Sequence, residues 1–158
     1  MTLSESDRAH LRRCVALARE ALAAGDQPFG SVLVGPDGRV LREERNHVGG
    51  GDHTRHPEFE LARWAATHVP EPDRDACTVY TSGEHCPMCA AAHGWVGLGR
   101  IVYASSSEQL SGWLADLGVG PAPIRTLPIA QIISGARVDG PDPELAEEIH
   151  ELHLQRFA

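Results

Sequence analysis

Leu11, Val15, Ala18 and Leu22 recur every three or four residues, and Cys14 shares their face. That period predicts a helix. Ser4 followed by Asp7 resembles a capping box at its start, and Gly25 stands where it ends. The apolar run "FGSVLVG" and the mixed run "RVLREERNHV" flank Pro36-Asp37-Gly38, so they read as a hairpin. "TRHPEFELARWAATHV" regains helical spacing, with Thr54 as the expected cap and Pro57 tolerated in the first turn. Beyond it "CTVYTSG" reads as a strand, "CPMCAAAHGWV" as a helix, "RIVYASS" as a strand and "SEQLSGWLADLG" as a short helix. "IRTLPIAQII" is a weaker strand, because Pro128 cannot donate to a ladder. "DPELAEEIHELHLQRF" is a last helix with Asp142 as cap and Pro143 at its first position. Its Leu145, Ile149, Leu152 and Phe157 form a stripe suited to its own core or to a partner.

The order α-β-β-α-β-α-β-α-β-α predicts an α/β fold. We expect a three-layer α/β/α sandwich around a central, mostly parallel five-stranded sheet, with the opening hairpin antiparallel. The 158 residues form one domain on length alone, 1–158, with no repeat or linker. No apolar run is long enough to span a membrane, and the first ten residues lack the pattern of a signal peptide. A cytoplasmic protein is expected. Fourteen Lys and Arg against 22 Asp and Glu give a net charge of −8, which disfavours a nucleic-acid partner. "GGGDH" lacks the Lys-Ser/Thr ending of a phosphate loop. Four cysteines in a reducing compartment do not suggest a disulfide framework. Cys14 and Cys77 read as small buried apolar residues.

Cys86 and Cys89 differ from these two. They form a Cys-x-x-Cys after a strand and at the start of a helix, where backbone N–H groups favour thiolates. One such pair is half a zinc site. His56 and Glu58 open the preceding helix, 30 residues upstream of Cys86, about one βα unit. Two helix starts on neighbouring units of one sheet can face each other. They then bring together His56, Cys86 and Cys89 as three ligands, the number that leaves a catalytic zinc one open position. Glu58 stays near the metal without binding it, as a general acid/base must. A thiol-disulfide oxidoreductase and a structural zinc domain closed by a fourth ligand, His85, are the rival readings of the same cysteines.

The pattern His-x-Glu followed by Cys-x-x-Cys, here "HPE" and "EHCPMC", resembles the cytidine deaminase-like superfamily. The resemblance runs from Pro28 to about Ser106. Within it "PFG", Asn46-x-Val48 and "YTS-x-E-x-CPMC" are most similar to the guanine deaminase group, and Trp95 stands six residues after Cys89 as a tryptophan does there. The resemblance implies one Zn2+ per chain on His56, Cys86 and Cys89. It implies Glu58 as proton shuttle and Asn46 as the residue that holds the base. It implies hydrolytic release of ammonia from a free nucleobase or nucleoside, guanine or a similar aminopurine first. A cytosine-type, pterin or triazine substrate is the alternative, and transfer RNA a remoter one. His85 stands where the family has proline, and Pro57 where it has a small residue. His85, Trp95 and Phe29 are counted with Asn46 as substrate contacts, and a homodimer is expected.

Overall fold

A computed structural model describes residues 2–158. Five strands form one sheet in the order β2-β1-β3-β4-β5, where β1 is Gly30–Val34, β2 Val40–Arg45, β3 Thr78–Gly83, β4 Ile101–Ser105 and β5 Val138–Asp139. β1 runs antiparallel to both β2 and β3, whereas β3, β4 and β5 are mutually parallel. The sheet is therefore mixed. The antiparallel β1–β3 pairing was not foreseen, because adjacency in sequence predicts the hairpin but not which edge the next strand joins.

Strand periodicity sorts the residues between two faces. Val32, Val34, Tyr80, Val102 and Ala104 pack against α1 (Glu5–Ala23) and α6 (Pro143–Arg156). Leu33 and Val79 point the other way, onto Leu61, Ala62 and Ala65 of α2 (Pro57–His68). Ala90 of α4 (Pro87–Val96) packs with Ile101 and Ile129. Gly30 faces α1 so closely that a Cβ there would run into Leu17 Cβ and the Cys14 carbonyl. The apolar stripe of α6 is spent inward: Leu145, Ile149 and Leu152 are buried in the chain's own core. Asp7 ties the layers together, accepting from Tyr80 Oη of β3 and from Arg100, whose Nε also reaches Asp139 of β5. The Arg100 guanidinium holds the Asp7 carboxyl well below the usual carboxylate range.

The capping box at Ser4 and Asp7 forms as expected, as do the Asp142 cap and the α5 helix, Ser107–Asp116. Two boundaries differ. Thr54 is spent on a turn with Asp52, so it does not cap α2. His56 is the cap instead, extended at φ −89° and ψ 141°, because a following proline disfavours helical torsions. "IRTLPIAQII" is not a strand: it holds irregular chain and a 3₁₀ turn, Ile129–Gln131. The last strand is the two-residue β5, too short to show a period. A four-residue helix, α3 (Glu71–Arg74), was also unforeseen. Among the described residues no helix is long and apolar enough to cross a membrane.

His153 of α6 is 1% exposed, and neither ring nitrogen has a partner. Burial, with Arg156 and His150 adding to it, pushes its pKa down to about 4. The unfolded chain, with an ordinary histidine pKa, therefore binds a proton first as pH falls through 6.5. Stability is unaffected above that pH, declines below it and levels off near 4. The differential is about 2 kcal/mol at pH 5. Urea titrations of the parent and His153→Leu at pH 7.5 and 5 check this. The parent should lose about 2 kcal/mol more than the variant; equal losses would show that His153 does not stay neutral in the fold.

Candidate active site

Two helix starts meet on the α2/α4 side of the sheet. His56 caps α2 and Cys86 caps α4, each followed by a proline at the first helical position. α2 and α4 pack against each other, which brings their first turns together. His56 Nδ1 lies 3.5 Å from Cys86 Sγ and 3.5 Å from Cys89 Sγ, and the two sulfurs are 3.5 Å apart. Tetrahedral ligation with zinc–sulfur bonds near 2.3 Å and zinc–nitrogen bonds near 2.0 Å requires donor separations of roughly 3.5–3.8 Å. The three donors are spaced to hold one zinc ion.

The electrostatics suit a cation. The Cys89 thiol, with His56 helping against the penalty of burial, draws the Cys86 pKa down to about 4. Cys86 in turn raises the His56 pKa and pushes that of Cys89 up. An anionic sulfur beside two groups that retain protons is a site from which metal binding displaces protons.

Glu58 sits one residue into α2 beyond Pro57 and is 6% exposed. Its Oε1 accepts from Ser31 Oγ at 3.0 Å and from Thr81 Oγ1 at 3.0 Å. Ser31 and Thr81 are fully buried and directly paired across β1 and β3, their hydroxyls 2.8 Å apart. This anchors one carboxylate oxygen and leaves the other for proton transfer. Burial raises the Glu58 pKa, opposed by His56 and the two hydroxyls. Such a carboxyl is tuned toward neutral pH, where proton exchange is most effective. The sequence reading missed both hydroxyls. The available signal was their parity: Ser31 and Thr81 share the inward face with Leu33 and Val79, where a polar residue needs a polar partner.

His56, Glu58 and Cys86 floor a cavity of about 620 Å³. Phe29 lines it. Glu84, given no role from sequence, braces it. Its Oε1 accepts from Ser107 N and Oγ, and its Oε2 from Ile129 N. Glu84, two residues before Cys86, thus ties the first residue of α5 to the first residue of the 3₁₀ turn, the two ends of a stretch that holds α5 and the span after it. That span contributes a roof of Ala122, Pro123, Ile124 and Thr126.

Three expected substrate contacts lie elsewhere. His85 is 1% exposed and off the cavity, packed edge-on to His93 with ring centroids 5.5 Å apart. Its side chain turns into the layer beneath α4, burial holds its pKa well down, and it is not one of the grouped donors. Trp95 is 91% exposed on the last turn of α4, beside Ile132 and Ile133. Two helical turns separate it from the ligands, so its position along α4 carries it away from them. Asn46 is buried behind the cavity wall, and its Oδ1 accepts from Val48 N at 2.9 Å. Val48, not Asn46, is the lining residue; among the described residues nothing accepts from Asn46 Nδ2.

Comparison with known proteins agrees with this geometry. Residues 4–105 match the model of the cytidine and deoxycytidylate deaminase zinc-binding region. A guanine deaminase of Bacillus subtilis is 35% identical over 130 residues, covering 77% of this chain and 83% of that protein. A probable cytosine deaminase of Schizosaccharomyces pombe is 35% identical over 108 residues, covering 68% of this chain and 65% of that protein. The solved guanine deaminase of Nitrosomonas europaea superposes with a TM-score of 0.71 at 20% identity, over 99% of this chain and 86% of that one, a likeness of fold. With His56, Cys86 and Cys89 grouped as donors that could hold a metal ion and Glu58 in the same cavity, the chain belongs to the cytidine and deoxycytidylate deaminase zinc-binding family.

Proposed function

We propose that the chain is a single zinc-dependent deaminase domain that hydrolyses an amino group on a small heterocycle to a carbonyl, releasing ammonia. A nucleobase or nucleoside is the favoured class, guanine or a similar aminopurine first. The observation that carries this reading is Glu58, held through one oxygen by Ser31 and Thr81 beside three zinc donors on a cavity floor.

Zinc bound by His56, Cys86 and Cys89 supplies a Lewis acid that brings the pKa of a water to roughly 7. The chain's own part is proton movement. The unanchored oxygen of Glu58 takes a proton from that water and passes it to the ring nitrogen beside the amino-bearing carbon. The carbon gains an oxygen and turns tetrahedral. Glu58 then takes the remaining proton of that added oxygen and delivers it to the amino nitrogen; the C–N bond breaks, ammonia departs and a carbonyl is left. Phe29 offers the ring an apolar face.

The rival readings lose support. A closed structural zinc site needs a fourth ligand, and His85 is buried away from the donors. A polynucleotide substrate calls for cations, and no Lys or Arg lines the cavity. The guanine assignment rests on the "YTS-x-E-x-CPMC" pattern and on the Bacillus relative matched over most of its length. The Schizosaccharomyces relative favours a second reading, a cytosine-type base. Ammonia release from guanine, guanosine, adenine, cytosine and transfer RNA decides among them. Turnover of guanine above the others is expected; turnover of transfer RNA alone, or of nothing, would overturn the proposal.

A further inference from the structure

The cavity is larger than a base requires. A cavity of about 150 Å³ accommodates one benzene ring, so a bicyclic base occupies roughly 300 Å³, half of the 620 Å³ present. The remainder has a distinct character. Met88, Leu110, Ala122, Pro123 and Ile124 bring apolar surface, beside the polar side chains of Gln27, His53, Thr54 and Thr126. Ile124 is 50% exposed, an apolar side chain with nothing over it. The roof belongs to a stretch that Glu84 ties at Ser107, where α5 begins, and at Ile129, just beyond the roof. No Lys or Arg lines any part of the cavity, so a phosphate would meet no Lys or Arg countercharge there.

From this we infer that the outer half of the cavity binds an apolar substituent carried by the amino-heterocycle. The substrate class is then an N-substituted, uncharged amino-heterocycle, preferred over the bare base and over any nucleotide. The inference rests on the deaminase reading above.

Two measurements on the zinc-loaded protein test it. The first is kcat/KM for ammonia release from guanine, 7-benzylguanine, 9-benzylguanine and guanosine monophosphate, with cytosine and 1-benzylcytosine alongside. The second is the Kd of the same compounds for Glu58→Gln, which reads recognition without turnover. At least one benzyl isomer should show a ~10-fold gain over its parent in both, the effect of burying part of a phenyl ring, and the nucleotide should show none. Ile124→Asp should shrink the benzyl-to-parent ratio of Kd several-fold. Benzyl compounds that bind no better than their parents, or a nucleotide that binds best, would overturn the inference. Absence of turnover on every compound counts against the deaminase reading, while the Kd ratios still decide the occupant of the outer half.

Discussion

Glu58→Gln should fold, bind one zinc per chain and lose at least ~10²-fold in turnover. Glutamine keeps the shape and the oxygen that Ser31 and Thr81 address, so the anchoring hydrogen bonds persist. It removes the ability to take and give a proton, which general acid/base catalysis supplies at ~10²–10⁴ in rate, here at more than one step. The side chain is 6% exposed, and replacing a buried ionisable group by a neutral one of equal size need not destabilise. Metal analysis, thermal unfolding and ammonia release on one preparation separate these effects. Thr81→Val should lie between parent and Glu58→Gln in kcat with little change in KM, because it loosens the carboxylate without touching substrate; Thr81→Ser should recover most of the loss. A Glu58→Gln protein that turns over at the parental rate would remove Glu58 from the chemistry.

Much of this arrangement was legible before any coordinates. The grouping of His56, Cys86 and Cys89 could be read because each lies at a helix start marked by local grammar, His56-Pro57 and Cys86-Pro87, and because a βα unit separates them. The fold could be read from periodicity in α1, α6 and the hairpin, all long enough to show a repeat. Elements without a repeat escaped. β5 has two residues and owes its place to pairing with Ile101 and Val102, and "IRTLPIAQII" imitated it with β-branched residues that build the span under the roof. The substrate contacts were the least legible part. Trp95 and His85 were placed by their distance from the cysteines along the chain, but rotation about α4 and the direction of the entering turn decide where a side chain points. Ile124 and Leu110 line the cavity through tertiary contact from outside the recognisable motif, and nothing local marks them.

Cys89→Ser should abolish stoichiometric zinc and the stability that comes with it. Cys89 is fully buried, its sulfur 3.5 Å from both other donors. A serine oxygen sits on a shorter bond, ionises poorly and leaves His56 and Cys86 as two good ligands where zinc needs at least three. Metal that binds only the folded chain stabilises it by RT ln(1 + [Zn]/Kd), about 4 kcal/mol at free zinc a thousandfold above Kd. For a chain of this size that is roughly 10 °C in Tm. The parent should therefore fall by about that much when a chelator is added. Cys89→Ser should start low and ignore the chelator. Cys77→Ala supplies the contrast, since Cys77 is buried in the α2 side of the core, apart from the zinc donors. It should lose stability through packing yet keep one zinc and the full chelator response. If Cys89→Ser also kept both, the ligand set would be wrong and the cysteines would need the redox role that their spacing first suggested.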